Sequence, residues 1–453
     1  MVWKSRDYSS APNNEVKYNT SFRYKFLSIS NAGSSTYAWM GLNEHGFAIV
    51  NTLAYDLQKG SSGPSNGAFM RDVLGNCKTV AQFRHYLDST NLTGRATRAD
   101  FGVIDTTGEA AIFEVSGDAY WEYNAKDAPD GYVIRTNFSM TGGGSTGIER
   151  YHRSKALMAS FYSGDSLSVK SILRYQMRDF SDFDSQPVPV PFKNSWGPGI
   201  PYGYINTSKS ICRNSTVSAV VVQGVLPTEP AGLSVFWTIL GQPATSVAVP
   251  YWAVGPSPQE ADGENTAPLC DVSRKIRSQL FDFGGGDEYL NSFKLLDGKG
   301  AGLWTCTFPF EDSVLAVTAR FMDSMRLKTN LPVDLLLGKE QMLAASALQH
   351  LQHCRESLLL DVHRFNTLMG FSVFPNPVSS RLNIRYTLSG SGRVAFTLFA
   401  PDGKRVAHFF NRLQNPGKHT LLWDVSHLSP GIYFLTVQSG NRVGVEKIVV
   451  DNR

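Results

Sequence analysis

Hydrophobic and polar residues alternate along the last part of the chain. Apolar side chains occupy every second position over residues 382–386 and again over residues 394–398, and similar short segments continue to residue 450. Turn-forming sequences such as Pro401-Asp402-Gly403 separate them. Because a two-residue period places apolar side chains on one face of a strand, segments of this kind predict a small antiparallel β-sandwich over residues 372–453.

The segment before this sandwich has a helical pattern. Over residues 309–368, apolar residues such as Leu348, Leu351 and Leu358 recur at spacings that place them on one face of a helix. Gly370 and the sequence Phe-Pro-Asn-Pro at residues 374–377 end this pattern, since proline at alternate positions cannot continue a helix. We therefore predict two domains, residues 1–368 and residues 369–453.

In the first domain, predicted strands alternate with predicted helices. Residues 101–115 have the pattern of a β-hairpin, and residues 218–223 and 234–240 are apolar enough to form buried strands. Residues 68–87 and 150–177 have helical periodicity. The pattern indicates an α+β domain in which helices cover the outer faces of sheets.

The composition of the chain argues against several classes of protein. The 453 residues carry a net charge of +4, and 42% of them are hydrophobic, which excludes wholesale disorder and gives no support for nucleic-acid binding. No segment is long and apolar enough for a membrane span. The sequence gives no pattern for a cofactor or a metal site. The five cysteines are consistent with buried thiols or with one disulfide between Cys212 and Cys270.

The C-terminal domain resembles the C-terminal sorting domain of the type IX secretion system. The resemblance rests on the Phe-Pro-Asn-Pro sequence, the Asp402-Gly403-Lys404 turn, Trp423-Asp424 and the segment Leu-Ser-Pro-Gly-Ile-Tyr-Phe at residues 428–434. It implies that the type IX machinery of a Gram-negative bacterium recognises residues 372–453 and exports the protein. The protein would then be secreted or attached to the cell surface. A generic immunoglobulin-like accessory domain is the alternative.

The first domain resembles the N-terminal-nucleophile (Ntn) amidohydrolases, in particular the choloylglycine hydrolase, penicillin V acylase and isopenicillin-N acyltransferase group. The matching motifs are Trp-Lys-Ser-Arg-Asp at residues 3–7, the hairpin at residues 41–51, Arg-Thr-Asn at residues 135–137 and Glu-Arg-Tyr-His-Arg at residues 149–153. The resemblance places residues 135–137 at the end of a strand and residues 149–153 at the start of a helix. The resemblance implies a four-layer αββα sandwich. It also implies hydrolysis, or acyl transfer, of linear C–N amide bonds in a small-molecule substrate, and homo-oligomers are common among such proteins.

In such enzymes an N-terminal cysteine thiolate attacks the amide, and its own α-amine, with a free pKa of about 8, acts as the base. The resemblance assigns Asp7 to orient that amine and Lys4 to contact the nucleophile or substrate. Asn137, and with a weaker match Asn51, would donate to the oxyanion, a contribution of about 3 kcal/mol per donor. Arg150 would hold the thiolate or a substrate carboxylate.

The nucleophile itself is not found in the matching position. The residues before Asp7 contain neither a cysteine nor a signal peptide. One missing N-terminal segment would explain both absences, so we expect the chain to lack its first strand and its nucleophile and to be inactive as it stands. Residues 2–6 are then expected to form a strand with an unpaired edge.

Structural interpretations compete with these catalytic ones. Asp7 with Arg6, and Arg150 with Glu149, could be solvated ion pairs, and asparagines such as Asn51 and Asn137 often form turns. A zinc site formed by His350, Cys354 and neighbouring histidines such as His363 lacks a complete set of ligands. At the level of function, the alternatives are a catalytically inactive surface-displayed binding or scaffold protein with the same shell, or a carbohydrate-binding protein that uses its tyrosines and tryptophans.

Overall fold

The computed structural model describes residues 1–34, 36–182, 187–367, 371–388, 391–439 and 442–451, and the side chains of residues 359–367 and 442–443 lie outside the described set. The strands of the first domain are β1 (Val2–Asp7), β2 (Asn14–Asn19), β3 (Phe26–Asn31), β4 (Met40–Asn43), β5 (Ala48–Leu53), β6 (Ala99–Ile104), β7 (Ala110–Val115), β8 (Tyr120–Asn124), β9 (Tyr204–Asn206), β10 (Thr216–Gln223), β11 (Val235–Leu240), β12 (Val249–Tyr251) and β13 (Tyr289–Asn291). Its helices are α1 (Asn66–Asn76), α2 (Val80–Thr93), α3 (Ile148–Ser163), α4 (Val169–Ser171), α5 (Pro268–Leu280), α6 (Ser292–Leu295), α7 (Leu303–Arg326) and α8 (Val333–Thr367).

Two sheets face each other in the first domain. Within the described ranges, β2 to β8 form a seven-stranded antiparallel sheet in sequence order, and a four-stranded sheet has the order β1-β10-β11-β12. Val50 and Ile104 from the first sheet and Val220 and Val222 from the second belong to one buried cluster. The hydrophobic core of the domain therefore lies between the sheets.

Helices cover both outer faces. Phe69 of α1 and Phe83 of α2 pack against Phe101 on the seven-stranded sheet. Helices α5, α7 and α8 cover the four-stranded sheet. Their buried side chains, such as Ile276 and Leu343, belong to the same hydrophobic cluster as residues of that sheet. This arrangement of helix, sheet, sheet and helix confirms the predicted αββα sandwich.

Strand β1 forms one edge of the four-stranded sheet. It pairs with β10 in antiparallel register, with Lys4 opposite Val220, and no other strand in the described part of the chain pairs with it. The unpaired edge that we predicted for residues 2–6 is therefore present.

Some predicted helices are divided. Residues 77–79 separate α1 from α2, and the side chain of Thr79 caps α2 by accepting a hydrogen bond from the backbone N–H of Gln82. The predicted helix at residues 309–368 is two helices, α7 and α8, and Pro309 lies inside α7, which begins at Leu303. Helical periodicity continues across such breaks because helices on either side cover the same sheet.

The C-terminal residues form two packed antiparallel sheets. Their strands are β14 (Ser372–Phe374), β15 (Arg381–Leu388), β16 (Gly392–Phe399), β17 (Arg405–Gln414), β18 (Gly417–Asp424), β19 (Gly431–Ser439) and β20 (Arg442–Val450). One sheet has the order β14-β15-β18 and the other β17-β16-β19-β20. The alternating residues Ile384 and Phe396 are buried together, as the sequence pattern predicts. In β19 the predicted face of Ile432, Phe434 and Thr436 is wrong, since Leu435 and its alternate neighbours are buried instead. The proposed boundary after residue 368 falls among residues outside the described set.

The cysteines are arranged differently from the expected pairing. Cys306 of α7 and Cys354 of α8 form a disulfide, whereas Cys212 and Cys270 are free and buried. Of the two alternatives for Cys212 and Cys270, buried thiols are confirmed and the bond between them is wrong. His350 lies beside Cys306, but both sulfurs are bonded to each other and are not available as zinc ligands. The His363 side chain lies outside the described residues.

None of the helices in the described ranges is long and apolar enough to cross a membrane.

We expect replacement of both Cys306 and Cys354 by serine to lower the free energy of unfolding by about 2–4 kcal/mol. The bond links residues 48 positions apart, so it restricts the unfolded chain strongly. Urea unfolding of the variant and of the oxidised wild type measures the difference, with reduced wild type as the control. Equal unfolding midpoints for the variant and the oxidised wild type would contradict this expectation.

Candidate active site

A cavity of about 880 Å³ lies beside the open edge of β1. Strands β1, β5 and β6, the segment at residues 131–137 and the beginning of α3 contribute to its walls. All five residues predicted for the site line this cavity, namely Lys4, Asp7, Asn51, Asn137 and Arg150. The fold therefore brings together residues that are up to 146 positions apart (150 − 4) in the sequence.

Lys4 and Asn51 connect the two sheets. The Lys4 Nζ donates a hydrogen bond of 2.9 Å to Asn51 Oδ1 across the cavity. Asn51 is held by the β4–β5 hairpin, in which the Asn43 side chain accepts hydrogen bonds from the backbone N–H groups of His45 and Phe47. Burial, and after it the positive charge of the nearby Arg6, lowers the pKa of Lys4 to about 7, although Asp7 acts in the opposite direction.

Asp7 lies at the end of β1, where a register shift follows Arg6. Its Oδ1 accepts a hydrogen bond of 2.8 Å from the Thr216 hydroxyl, and its Oδ2 lies 3.5 Å from an Arg213 nitrogen. Arg6 is 3% exposed and donates instead to Asn14 and to Asn31. The interpretation of Arg6 and Asp7 as a solvated ion pair is therefore wrong.

The Asn137 side chain is hydrogen-bonded at both ends. Its Nδ2 donates to the Leu53 carbonyl at 3.0 Å and to the Thr52 hydroxyl at 3.1 Å, and its Oδ1 accepts a hydrogen bond of 2.6 Å from Arg150. The segment that carries it has no strand assignment, so the predicted strand end at residues 135–137 is wrong. Contacts with β5, rather than pairing within a sheet, hold Asn137 at the cavity.

Arg150 is the third residue of α3, as predicted for a helix start. Gly147, with φ of +79°, precedes the helix, and a side chain there would collide with the Arg150 guanidinium. Burial lowers the pKa of Arg150, and the nearby Arg213 acts in the same direction, whereas Asp7 opposes them. Glu149 forms an ion pair of 2.8 Å with Lys209, so the solvated Glu149–Arg150 pair is not formed.

Arg213 is a cavity residue that the sequence did not indicate. It lies in the segment before β10, lines the cavity and contacts Asp7 from 206 positions away in the sequence. No local pattern could identify it, since its position depends on the pairing of β10 with β1.

No cysteine among the described residues lines the cavity. Cys212 and Cys270 are buried elsewhere, where their sulfurs accept hydrogen bonds from the Gln242 amide and the Asn14 backbone N–H. Burial raises the pKa of each of these two thiols to about 12. Because the thiolate is the nucleophilic form, neither thiol suits a nucleophile at neutral pH.

Two family models match separate parts of the chain. Residues 1–196 match the family of acyl-coenzyme A:6-aminopenicillanic acid acyl-transferase, and residues 372–451 match the secretion system C-terminal sorting domain. These matches agree with the two resemblances found in the sequence. No curated protein sequence matches the chain significantly.

Solved structures with a similar arrangement include two hydrolases. Penicillin V acylase from Agrobacterium tumefaciens has 14% identity and a TM-score of 0.32, and the match covers 55% of this chain and 80% of that chain. A variant of the conjugated bile acid hydrolase from Clostridium perfringens has 11% identity and a TM-score of 0.28, and that match covers 52% of this chain and 80% of the other.

We expect the stability of the wild type, measured relative to a Lys4→Met variant, to increase as the pH rises from about 7 to 10. The pKa of Lys4 is about 7 in the folded protein and near its ordinary value of 10.5 in the unfolded chain. Between these values the unfolded chain binds a proton that the folded protein does not bind, so stability rises with pH.

Urea unfolding midpoints of both proteins at pH 6.5, 8 and 9.5 measure this effect. Lys299→Met, at an exposed loop position, is the matched control and should differ from the wild type by the same amount at each pH. A Lys4→Met difference that also stays constant with pH would show that Lys4 keeps its proton in the folded protein.

Proposed function

Since residues 1–196 match an acyl-transferase family, we propose that the first domain hydrolyses or transfers linear C–N amide bonds held in the cavity beside β1. The observation that supports this proposal is the convergence of Lys4, Asp7, Asn51, Asn137 and Arg150 on that cavity. N-acyl amino acids, β-lactam side-chain amides, bile-salt-like conjugates and small peptides are the substrate classes that we would test.

In this proposal Asn51 is the oxyanion donor. Its Oδ1 accepts from Lys4, whereas its Nδ2 makes no hydrogen bond to another described residue. Lys4 thus orients the amide so that Nδ2 is available to the developing negative charge. The Asn137 Nδ2 is already engaged by Thr52 and Leu53, so Asn137 acts by positioning Arg150.

The nucleophile in this proposal is an N-terminal cysteine presented at the open edge of β1. Its thiolate would attack the amide carbon, and its α-amine, oriented by Asp7, would pass the thiol proton to the departing amine as the C–N bond breaks. Water or a second amine would then release the acyl group. Arg150 and Arg213 line the cavity near Asp7 and would bind a substrate carboxylate or the thiolate.

The test uses the protein expressed from its full reading frame. Mass spectrometry identifies the N-terminal residue of the mature protein, and amine release is measured with N-acyl amino acids and penicillin V. We expect an N-terminal cysteine whose replacement by alanine lowers kcat by about 1000-fold or more. A mature protein without an N-terminal nucleophile, and without amine release, would instead support a binding or scaffold protein.

We expect Asn51→Ala to lower kcat by about 100-fold or more in the active protein, because one oxyanion donor is lost. Steady-state kinetics on the best substrate of the panel would measure the change. Asn330→Ala, at an exposed position outside the cavity, is the matched control. A kcat unchanged by Asn51→Ala would exclude Asn51 as the donor.

The C-terminal domain is a secretion sorting domain, which indicates a secreted or cell-surface protein. In our proposal, the type IX machinery recognises residues 372–453.

Deletion of this segment should leave the protein in the periplasm of the producing bacterium, because the recognised segment is lost. The first domain should still fold, since it has its own core. Immunoblots of periplasm, outer membrane and medium measure the distribution, with the intact protein as control. Export of the truncated protein to the medium would contradict this role.

A further inference from the structure

A buried carboxyl group lines the cavity without any partner. Asp100 lies on β6, where Phe101 and Val103 pack toward α1 and α2 while Ile104 faces the opposite sheet. The alternation along the strand therefore turns Asp100 toward the cavity, which it lines. It is 2% exposed, and neither of its carboxyl oxygens has a hydrogen-bond partner among the described residues.

The surroundings of Asp100 are acidic. Glu114 is its cross-strand neighbour on β7, and the nearby cation Arg135 is already paired with Glu114 at 2.6 Å. Arg135 also donates to the Ile134 carbonyl. Asp56 adds a further negative charge, and its carboxylate accepts backbone hydrogen bonds in the loop at residues 139–144. The charged groups that act on Asp100 are therefore two carboxylates and one guanidinium that is already paired.

An unpartnered carboxyl group at such a position is costly when ionised. Burial raises the pKa of Asp100 well above its ordinary value, and the negative charge of Glu114 raises it further, whereas Arg135 opposes both effects. Ionisation of Asp100 in the empty cavity is therefore disfavoured. A ligand that brings a positive charge would supply both the missing hydrogen bond and the missing countercharge.

Basic side chains also line the cavity. They are Lys4, Arg150 and Arg213, with Asp7 near Lys4 and with Asp7 and Glu149 near Arg150. The cavity thus combines basic and acidic side chains, which suits a ligand that carries both a negative group and a positive group.

Asp100 also lies close to the proposed reaction centre. Its neighbour on β5 is Thr52, whose hydroxyl accepts a hydrogen bond from Asn137. Side chains of directly paired residues in antiparallel strands are about 5 Å apart at Cβ. A ligand group bound at Asp100 would therefore lie in the part of the substrate next to the reacting amide bond.

We propose that Asp100 binds a cationic nitrogen, a primary ammonium or guanidinium group, in the substrate of this cavity. Asp100 is then a specificity-determining residue, and its proton leaves to solvent as the cation binds. The inference rests on the proposed function because it assumes that the cavity binds amides. A neutral hydroxyl donor fits less well, since it would supply a hydrogen bond to Asp100 but no countercharge for its ionised form.

Calorimetric titration of the 453-residue protein tests this inference. The probes are Nα-acetyl-lysine amide, Nα-acetyl-norleucine amide, which lacks the ammonium group, and Nα,Nε-diacetyl-lysine amide, which keeps the side-chain length but not the charge. We expect the lysine amide to bind about 10- to 100-fold more tightly than either neutral probe.

Asp100→Asn should remove this preference and leave the affinity for the norleucine amide unchanged. Asp334→Asn, at an exposed position of α8 outside the cavity, is the matched control and should behave as the wild type. If Asp100→Asn does not fold, the comparison of charged and neutral probes on the wild type still decides the question.

Equal binding of all three probes by the wild type, no binding of any, or a preference that survives in Asp100→Asn would overturn the assignment. The proposed function is tested separately by amine release from the mature protein. Release of amines without a preference for cationic ligands would refute the role of Asp100 and leave the amidase proposal intact. A preference that depends on Asp100, without any amine release, would support the site and refute the amidase.

Discussion

The pairing of β1 with β10 is the interaction on which the candidate site depends. This pairing places Lys4 and Asp7 in the space between the two sheets and leaves the other edge of β1 open beside the cavity. β10 carries Thr216, which holds Asp7, and the segment before it carries Arg213. A shift of this register by one residue would reverse the direction of each side chain on β1 and would take Lys4 away from Asn51.

Buried charged contacts, in addition to apolar packing, hold together the helices and sheets that surround the cavity. Arg178 pairs with Glu311 of α7 at 2.7 Å, and Glu311 also accepts a hydrogen bond from the backbone of Ala248. Arg6 reaches the seven-stranded sheet through Asn31. Removal of one partner from such a contact leaves an unpaired charge in a medium of low dielectric constant, so these contacts specify one arrangement of helices and sheets.

The disulfide and the sorting domain both indicate a compartment outside the reducing cytosol. A bond between Cys306 and Cys354 is typical of proteins that fold outside the reducing cytosol, and the sorting domain belongs to exported proteins. Both features lie outside the cavity, so export and the proposed chemistry of the first domain would use different parts of the chain.

Periodicity in the sequence determined the α+β class and the sandwich at the C-terminus, because periodicity is a local property of a chain. The αββα arrangement and the five cavity residues were predicted only through the resemblance of short motifs to the Ntn amidohydrolases. The sequence could not reveal Arg213 or Asp100 as cavity residues, the Cys306–Cys354 pairing or the breaks between helices. Arg213 is a cavity residue because it contacts Asp7 of β1, which is distant in the sequence. Asp100 is notable because, once the two sheets are packed together, its carboxyl group has no hydrogen-bond partner among the described residues. Only the tertiary structure decides which buried polar groups find partners, since that depends on the packing of segments distant in the sequence.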